Sequence, residues 1–423
     1  MEWAECIEGL YISRKKITWG EPAKEYQLLM NVLRQTNNKS KAAKEYLQRF
    51  SPFSTKPPLT KLYLEPTSLC NLQCRTCIRN SWDEPIGSMD MNLYRKLLSD
   101  LQEFPTLNSI AFWGYGEPLA HPEIINMVAL AHETGMKTEV ITNGHLLDQD
   151  MARGFIQAGL DTLVVSVDGT TQTSYEVVRL GGDLSRVEEN IRALNILRAK
   201  MSGKKLNVGL EFVMMRSNID QLPDLAHKAR SMEADFIMLT NLLPCTKDMK
   251  DEILYWISAT LNENEERPKL SPELMLPRMD LRTEYITPLM EFLKRLERPM
   301  PPIRDIPQEY YCPFVQKGSA AITWSGDVSP CIALMHSYHC YILGREKFIK
   351  RYSVGNIAQE EMNDIWNKKT FQGFRDRVLK FDFSPCVQCS GCNNSETNEE
   401  DCFGNIHPVC GDCLWARSVL LCP

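Results

Sequence analysis

Three cysteines near the start of the chain have the spacing of metal ligands. Cys70, Cys74 and Cys77 stand at C-x3-C-x2-C directly after the apolar run at residues 62–64. Structural zinc sites and ordinary 4Fe-4S clusters take four protein ligands. A 4Fe-4S cluster held by three cysteines keeps one iron free, and that iron can bind a small molecule. The spacing therefore predicts a catalytic iron-sulfur centre.

A second and denser group of cysteines follows residue 310. Its members are Cys312, Cys331, Cys340, Cys386, Cys389, Cys392, Cys402, Cys410, Cys413 and Cys422. Zinc is a serious alternative here, because Cys386-x2-Cys389 and Cys410-x2-Cys413 have the spacing of a zinc ribbon. Ten cysteines nevertheless exceed one zinc site. Two 4Fe-4S clusters would use eight of them, and we favour that interpretation.

Composition and charge narrow the class of protein. A chain of 423 residues with 43% hydrophobic content can form two domains, one of them large. A formal net charge of −6 gives no electrostatic reason to expect a nucleic-acid partner. The first residues lack a signal-peptide pattern and no run approaches membrane-spanning length, so we expect a cytoplasmic protein with no membrane contact. Without an export signal, the fifteen cysteines indicate metal ligands rather than disulfides. Cys6 and Cys245 stand alone and are predicted to be ordinary thiols.

The strongest structural signal is an alternation of short apolar runs and longer amphipathic stretches. It predicts strands at 61–65, 109–113, 138–142, 162–167, 207–214 and 236–240, and helices at 92–103, 122–134, 148–158, 184–200 and 219–232. Such alternation is typical of βαβ units and a parallel α/β sheet. Six units are fewer than the eight of a closed barrel, which leaves a partial, TIM-like (βα)6 barrel or a doubly wound sheet.

Polar and glycine residues follow these predicted strands. They are Gly114, Tyr115, Gly116, Glu117, Asn143, Ser166 and Asp168, with Arg216 and Asn241 as further candidates for lining a pocket. Because active sites of parallel α/β sheets lie beyond the carboxyl ends of the strands, we expect these residues to share one mouth. The alternative is that they are plain βα turns, in which Gly, Asn, Ser and Asp are common for conformational reasons.

The remaining segments suggest four parts. Residues 1–55 are predicted to form a helical cap, with helices near 22–33 and 39–50, and residues 56–243 form the barrel. Residues 244–310 are a linker or insertion with a helix near 288–296. Residues 311–423 form a small cysteine-rich domain, in which 320–329 has the alternating pattern of a β-hairpin.

Residues 60–240 resemble the radical S-adenosylmethionine (radical SAM) superfamily. On that resemblance Cys70, Cys74 and Cys77 match the cluster ligands, and the sequence from Tyr115 to Pro118 matches the glycine and glutamate motif that holds the methionyl amino group. Ser166 and Asp168 occupy positions that commonly contact the carboxylate and ribose. Thr76 is a departure, because an aromatic residue usually precedes the third cysteine.

The cysteine-rich tail is similar to the SPASM extension, which holds auxiliary clusters in these enzymes. Cys312, Gly326 and Cys331 fit its opening pattern, whereas the later spacing departs from it, with Cys402 ten positions after Cys392. Individual cysteines therefore have no assigned cluster at this stage. The closing sequence CGDCLWARSVLLCP is similar to the branch that matures tungsten-cofactor oxidoreductases.

The resemblance implies an enzyme that reductively cleaves S-adenosylmethionine to a 5'-deoxyadenosyl radical and modifies a peptide, protein or cofactor precursor. The favoured substrate is a tungsten-containing oxidoreductase or its cofactor, and the alternative is a peptide that receives thioether or carbon–carbon crosslinks. One radical SAM cluster, two auxiliary clusters and an electron donor such as ferredoxin or flavodoxin are also implied. A zinc-stabilised scaffold or binding protein is the alternative from another class. No residue stands out as a general acid or base.

Overall fold

The computed structural model describes residues 58–201, 206–258, 277–296, 312–387 and 392–421. The predicted cap at 1–55, with its two helices and Cys6, lies outside these ranges, as do Cys389 and Cys422. The described residues from Pro58 onward belong to one compact unit.

Six parallel strands form the centre of the sheet. They are β1 (Lys61–Leu64), β2 (Ser109–Phe112), β3 (Lys137–Thr142), β4 (Thr162–Ser166), β5 (Asn207–Met214) and β6 (Phe236–Asn241). Each strand pairs with the next in chain order, and every pairing is parallel. A doubly wound sheet reverses its strand order part-way, whereas these six strands follow one another in chain order. The six predicted strands and the partial-barrel fold are therefore confirmed.

Six helices connect these strands. They are α1 (Met91–Asp100), α2 (Ile124–Glu133), α3 (Gln149–Ala158), α4 (Gln172–Val178), α5 (Leu184–Lys200) and α6 (Leu222–Ser231). Local sequence sets several of their ends. The side chains of Asp90, Asp148 and Asp183 accept hydrogen bonds from the first-turn N–H groups of α1, α3 and α5. Gly159 ends α3 in the left-handed region, where glycine has no steric penalty.

The core lies between the strands and one face of each helix. Strand β2 is buried along its whole length, as is expected of a parallel sheet covered on both sides. On α1, Tyr94, Leu97 and Leu98 face the sheet, and the Tyr94 hydroxyl donates to the Met127 carbonyl of α2. Fully burying each such apolar side chain stabilises the fold by about 1.5–3 kcal/mol.

The cysteine-rich segment continues this same sheet. Strand β7 (Ser319–Ile322) pairs parallel with β1, β8 (Asp327–Ser329) pairs antiparallel with β7, and β11 (Gly355–Asn356) pairs with β8. The predicted hairpin at 320–329 is therefore confirmed, and together with β11 it lengthens the sheet to nine strands. Nothing in the local alternation indicated that the hairpin would join β1, because the partner strand lies more than 250 positions away.

The described residues also form further strands and α-helices outside this sheet. They are the antiparallel pair β9 (Tyr338–Ile342) and β10 (Arg345–Ile349), the helices α7 (Thr283–Arg295), α8 (Pro313–Gln316), α9 (Met362–Asn367) and α10 (Lys369–Lys380), and a short antiparallel pair, Gln73–Cys74 with Arg179–Leu180. Helix α7 begins five residues before the predicted 288–296 helix and includes Pro288. Within the described ranges, no helix has the length and apolarity to span a membrane.

Candidate active site

The three cysteines of the C-x3-C-x2-C motif lie together in the loop after β1. The Leu72 amide is 3.5 Å from Cys70 Sγ, and Arg179 Nη1 is 3.9 Å from Cys74 Sγ. Cys77 Sγ lies 3.9 Å from the Tyr115 carbonyl oxygen. Hydrogen-bond donors aimed at sulfur favour the thiolate form, which is the form that binds iron. The donor set fits a cluster held by three thiolates.

Burial works against thiolates in the metal-free protein. It raises the pKa of Cys70 and of Cys74, and it raises the pKa of Cys77 to about 12. Arg179 opposes this effect at Cys74 through its positive charge. Binding of iron at these sulfurs must therefore release protons, so cluster assembly becomes more favourable as pH rises.

Glu117 connects the loops that follow β2 and β3. Its Oε1 accepts hydrogen bonds from the Thr142 hydroxyl (2.6 Å) and the Leu119 amide (3.0 Å), and its Oε2 accepts one from the Asn143 amide (2.7 Å). Burial raises the pKa of Glu117, while these three hydrogen bonds oppose that shift. These hydrogen bonds tie the carboxylate to the backbone of both loops.

Gly116 is required by a close approach of two backbones. A Cβ at this position would lie 2.1 Å from the Thr67 carbonyl oxygen and 2.6 Å from the Leu69 carbonyl oxygen. The Glu117 amide donates to that same Leu69 carbonyl at 2.7 Å. The loop after β2 is therefore packed directly on the start of the cysteine loop, which fixes the orientation of both.

Asn143 also contacts the cysteine loop. Its Nδ2 donates to Asn71 Oδ1 at 2.8 Å and lies 3.9 Å from Cys70 Sγ, while its Oδ1 accepts from the His145 amide at 3.0 Å. The predicted residues after β2 and β3 thus converge on the three cysteines, as the barrel geometry requires.

Ser166, the last residue of β4, and Asp168, which follows the strand, contact two residues that the sequence did not single out. The Ser166 hydroxyl donates to Glu211 Oε2 at 2.7 Å. Asp168 Oδ2 accepts from Arg179 Nε and Nη2 at 2.9 and 2.8 Å, and Asp168 Oδ1 accepts from the Val213 amide. Glu211, a carboxylate inside an apolar strand, could have been noticed from the sequence. Arg179 lies in no motif, and only the fold brings it to Cys74.

The Tyr175 hydroxyl lies in the same region without a hydrogen-bond partner among the described residues. The side chain is fully buried, and Arg179, Asp168, Cys74 and Glu117 are close enough to influence its ionisation electrostatically. An unsatisfied buried hydroxyl costs free energy unless a ligand pairs with it. This unpaired group beside the cysteines fits a polar cofactor bound at the mouth.

The two further candidates for lining a pocket are placed elsewhere. Arg216 is exposed, and its backbone amide donates to the Glu252 carbonyl. Asn241 is buried, and its Nδ2 donates to the Arg278 and Val419 carbonyls, both at 2.9 Å. Asn241 therefore joins the end of β6 to the C-terminal segment.

Four C-terminal cysteines gather into one group. Cys312, Cys331, Cys410 and Cys413 are buried or half-buried, and they lie close enough for the charge on one sulfur to raise the pKa of another. Burial is the larger cause and raises the pKa of Cys312 to about 12. Four thiols complete the protein ligand set of an ordinary 4Fe-4S cluster.

The other C-terminal cysteines are less closely grouped in the part of the chain that the structure describes. Cys402 Sγ lies 2.9 Å from Ser384 Oγ, and its charge also influences Cys386. Cys392 is exposed. Cys340 is buried on β9 near Lys347, whose Nζ lies 2.7 Å from Asp412 Oδ2. No three His, Cys, Asp or Glu side chains of the described residues converge closely enough to hold a single metal ion.

Both cysteine-containing regions of the chain match known protein families. Residues 64–229 match the Radical SAM superfamily, and residues 312–393 match the SPASM iron-sulfur cluster-binding domain. A protein of Pyrococcus furiosus described as a tungsten-containing aldehyde ferredoxin oxidoreductase cofactor-modifying protein is 33% identical over 370 residues, which is 86% of this chain and 96% of that protein. The chain belongs to the radical SAM superfamily.

Two further proteins are similar to this radical SAM enzyme. The PqqA peptide cyclase of Gluconobacter oxydans is 25% identical over 366 residues, which is 84% of this chain and 90% of that one. The crystal structure of Streptococcus suis SuiB bound to S-adenosylmethionine superposes with a TM-score of 0.53 at 17% identity and covers 86% of this chain and 81% of SuiB. At this low identity, the similarity to SuiB shows a shared fold only.

The predicted class, cofactors and extension are therefore confirmed. This radical SAM enzyme uses a 4Fe-4S cluster with S-adenosylmethionine, and its SPASM domain carries auxiliary iron-sulfur clusters. The SPASM match ends at residue 393, so Cys402, Cys410 and Cys413 lie beyond it. The departure from SPASM spacing noted in the sequence occurs at this point.

Proposed function

We propose that this radical SAM enzyme modifies the cofactor of a tungsten-containing aldehyde oxidoreductase. The observation that carries the proposal is the 33% identity to the Pyrococcus furiosus cofactor-modifying protein over 96% of that protein's length. The similarity spans the barrel and the cysteine-rich segment together. A substrate shared by two proteins requires both regions to correspond, because the barrel mouth and the auxiliary clusters would both face it.

A peptide substrate is the second candidate. The PqqA peptide cyclase of Gluconobacter oxydans is 25% identical over 366 residues, again across both regions. Under this alternative the enzyme forms a thioether or carbon–carbon crosslink within a peptide. Both candidates share the same first half-reaction and differ only in the molecule that loses a hydrogen atom.

Three cysteines of the barrel mouth are the proposed ligands of the catalytic cluster. Cys70, Cys74 and Cys77 would hold it, with Arg179 and Asn143 near the sulfurs. S-adenosylmethionine bound to its free iron supplies one-electron chemistry that removes hydrogen from an unactivated C–H bond. The loop residues Gly114, Tyr115, Gly116, Glu117, Asn143, Ser166 and Asp168 form the proposed cofactor-binding set.

Within that set the side chains act mostly by orienting other groups. Glu117 holds the Asn143 backbone, and Asp168 holds Arg179 beside Cys74. Glu117 and Asp168 each accept three hydrogen bonds from protein donors. We assign them to positioning the loops, with one acceptor site of each carboxylate remaining for the cofactor. The Tyr175 hydroxyl is the side-chain donor left over for the cofactor itself.

Two auxiliary clusters are proposed for the C-terminal cysteines. Cys312, Cys331, Cys410 and Cys413 would hold the first. Cys386 and Cys402 would hold the second, with further ligands drawn from Cys389, Cys392 and Cys422. Their electrons would come from and return to a low-potential donor such as ferredoxin or flavodoxin. Iron-sulfur clusters and their thiolate ligands persist in a reducing compartment, and on this ground we propose a cytoplasmic location.

The test begins with the shared half-reaction and then separates the substrates. Anaerobically reconstituted protein, reduced in the presence of S-adenosylmethionine, is expected to form 5'-deoxyadenosine and methionine. The reduced protein is then given either a tungsten oxidoreductase with its unmodified cofactor or a candidate peptide. A mass change in the cofactor released from the oxidoreductase supports the first candidate. A mass loss of two hydrogens confined to the peptide supports the second and rejects the first.

A further inference from the structure

A buried group of charged side chains lies outside the site described above. His336 Nε2 is 3.0 Å from Glu65 Oε2, and His336 Nδ1 is 2.7 Å from Glu84 Oε2. The side chains of His336, Glu65 and Glu84 are 4%, 0% and 16% exposed. The Ser337 amide donates to the other oxygen of Glu84 at 2.7 Å. Three segments distant in sequence thus meet at one imidazole ring.

The geometry fits a protonated imidazole between two carboxylates. A neutral ring has one N–H and could donate to only one carboxylate, whereas the imidazolium donates from both nitrogens. Burial lowers the pKa of His336, but the hydrogen bonds and charges of Glu65 and Glu84 outweigh burial and raise it to about 9. Among the described residues, the titratable side chains of Arg351 and Tyr115 also face this cluster.

Glu65 transmits the position of His336 to the barrel mouth. Its second oxygen, Oε1, accepts from the Tyr115 amide at 3.0 Å. A Cβ on Gly114 would lie 2.4 Å from Glu65 Cγ, so the loop after β2 rests directly on this carboxylate. The Tyr115 carbonyl lies 3.9 Å from Cys77 Sγ. The chain of contacts therefore runs from His336 through Glu65 and Tyr115 to the cysteine loop.

Tyr115 also reaches the other group of cysteines. Its hydroxyl donates to the Ile332 carbonyl at 3.3 Å, and Ile332 directly follows Cys331. His336 itself lies five positions after Cys331. The same short segment thus carries an auxiliary-cluster cysteine, a contact to the Tyr115 side chain and the imidazole that fixes the Tyr115 backbone.

We propose that His336 is a positioning residue that sets the catalytic cysteine loop relative to the auxiliary cysteines, by holding Glu65 under the Tyr115 backbone. The inference rests on the proposed function, because it concerns how two cluster sites work on one substrate. His336 does not touch the reacting atoms. Instead, His336 sets the position of Cys77 relative to the segment that carries Cys331, because Tyr115 contacts both.

The ring packed on His336 supplies a direct readout. Trp82 lies on the imidazole with ring centroids 4.3 Å apart. A protonated imidazole in contact with an indole quenches its fluorescence, and the neutral ring quenches it less. Trp82 emission is therefore expected to rise as pH passes through about 9, and the Trp82→Phe variant identifies this emission among that of the other tryptophans.

The experiment compares His336→Gln with the matched control His339→Gln. His339 lies three positions away, is exposed and pairs with Glu346 on the neighbouring strand. The full-length, anaerobically reconstituted proteins are measured in three ways. These are tryptophan emission against pH, the electron paramagnetic resonance spectrum of the reduced catalytic cluster with S-adenosylmethionine, and the ratio of 5'-deoxyadenosine to modified substrate.

Loss of His336 is expected to remove the fluorescence transition and to change the cluster spectrum. Substrate modification should fall by between about tenfold and a hundredfold, as for a displacement of a reacting group by up to 1 Å. Cleavage of S-adenosylmethionine should persist, so that more 5'-deoxyadenosine forms per modified substrate. His339→Gln should match the wild type in all three measurements.

Glu84→Gln covers the case in which His336→Gln does not fold. This variant keeps a hydrogen bond to the ring and removes one negative charge, so its fluorescence transition should shift to lower pH. The amount of modified substrate per 5'-deoxyadenosine should fall less than in His336→Gln. A wild-type ratio and an unchanged cluster spectrum in either folded variant would overturn the proposal. Failure of the wild type to cleave S-adenosylmethionine would instead reject the proposed function, while the fluorescence titration would still report on His336.

Discussion

The two groups of cysteines differ in their surroundings. The cysteines of the barrel mouth, Cys70, Cys74 and Cys77, lie among charged and polar side chains that orient one another. In the group of Cys312, Cys331, Cys410 and Cys413, Cys331 is buried in the hydrophobic core, Cys312 and Cys410 pack against that core, and Cys413 lies near the charges of Asp412 and Arg417. Three thiols in a polar setting suit a cluster that binds a cofactor, whereas four thiols in a more apolar setting suit a fully ligated cluster.

The largest effects should come from removing the cysteines of each group separately. The triple variant Cys70→Ala, Cys74→Ala, Cys77→Ala is expected to abolish 5'-deoxyadenosine formation. The double variant Cys312→Ser, Cys413→Ser should still form 5'-deoxyadenosine but lose substrate modification. Each variant should lose about four of about twelve irons per chain, since each cluster holds four. Iron analysis and chromatography measure both quantities, and undiminished 5'-deoxyadenosine from the triple variant would reject the assignment.

A smaller but still large effect is expected at the charge pair of the barrel mouth. Arg179→Leu leaves Asp168 buried and unpaired, which should lower the free energy of unfolding by about 3–5 kcal/mol. Arg179→Lys keeps the positive charge but loses the bidentate contact with Asp168, so its free energy of unfolding should lie between those of Arg179→Leu and the wild type. Denaturant unfolding of the cluster-free chain, followed by far-ultraviolet circular dichroism, measures both. Equal stability of Arg179→Leu and the wild type would show that the pair does not hold the site together.

The close packing of the two loops should make Gly116 sensitive to one added methyl group. Gly116→Ala is expected to lower the free energy of unfolding by about 1–3 kcal/mol, because the new Cβ would overlap the Thr67 carbonyl. Gly373→Ala is the matched control, since Gly373 lies in α10 with open space around it. In that control the free energy of unfolding should rise by about 0.5–1 kcal/mol, because alanine is favoured over glycine inside a helix. Similar changes at both positions would contradict the close approach.

The smallest effect should distinguish ligand binding from stability. Tyr175→Phe removes the unpaired hydroxyl, so the metal-free protein should be as stable as the wild type or slightly more stable. Affinity for S-adenosylmethionine should fall by about threefold to tenfold, the value of one hydrogen bond of about 0.5–1.5 kcal/mol. Equilibrium dialysis with the reconstituted enzyme measures it. A loss of stability with unchanged affinity would place the hydroxyl in the fold instead of the cofactor site.

The sequence predicted the barrel better than it predicted the arrangement of the C-terminal segment. The strands at 162–167 and 207–214 match β4 and β5 to within one residue, because periodicity is a local property of the chain. The hairpin at 320–329 was also recognised, again from local alternation. Its pairing with β1 was not, because strand pairing across such a distance depends on the assembled sheet.

The same division applies to the site. Cys70, Cys74 and Cys77 could be identified by spacing, and Glu117 by its loop. Ser166 and Asp168 lie at the carboxyl end of β4, yet their hydrogen-bond partners, Glu211 and Arg179, come from other segments. The hydrogen-bond partners of a side chain are its neighbours in three dimensions, so a sequence motif does not predict them.

The sequence by itself determined the six βα units, the three-cysteine loop and the family, because each depends on short-range spacing or periodicity. Only the tertiary structure decided which C-terminal cysteines gather, where the Tyr175 hydroxyl lies and how His336 meets Glu65. Each of those depends on contacts between residues far apart in the chain, such as the 271 positions that separate His336 from Glu65. Burial then gives these contacts their effect, because a charged or polar group removed from water must be paired.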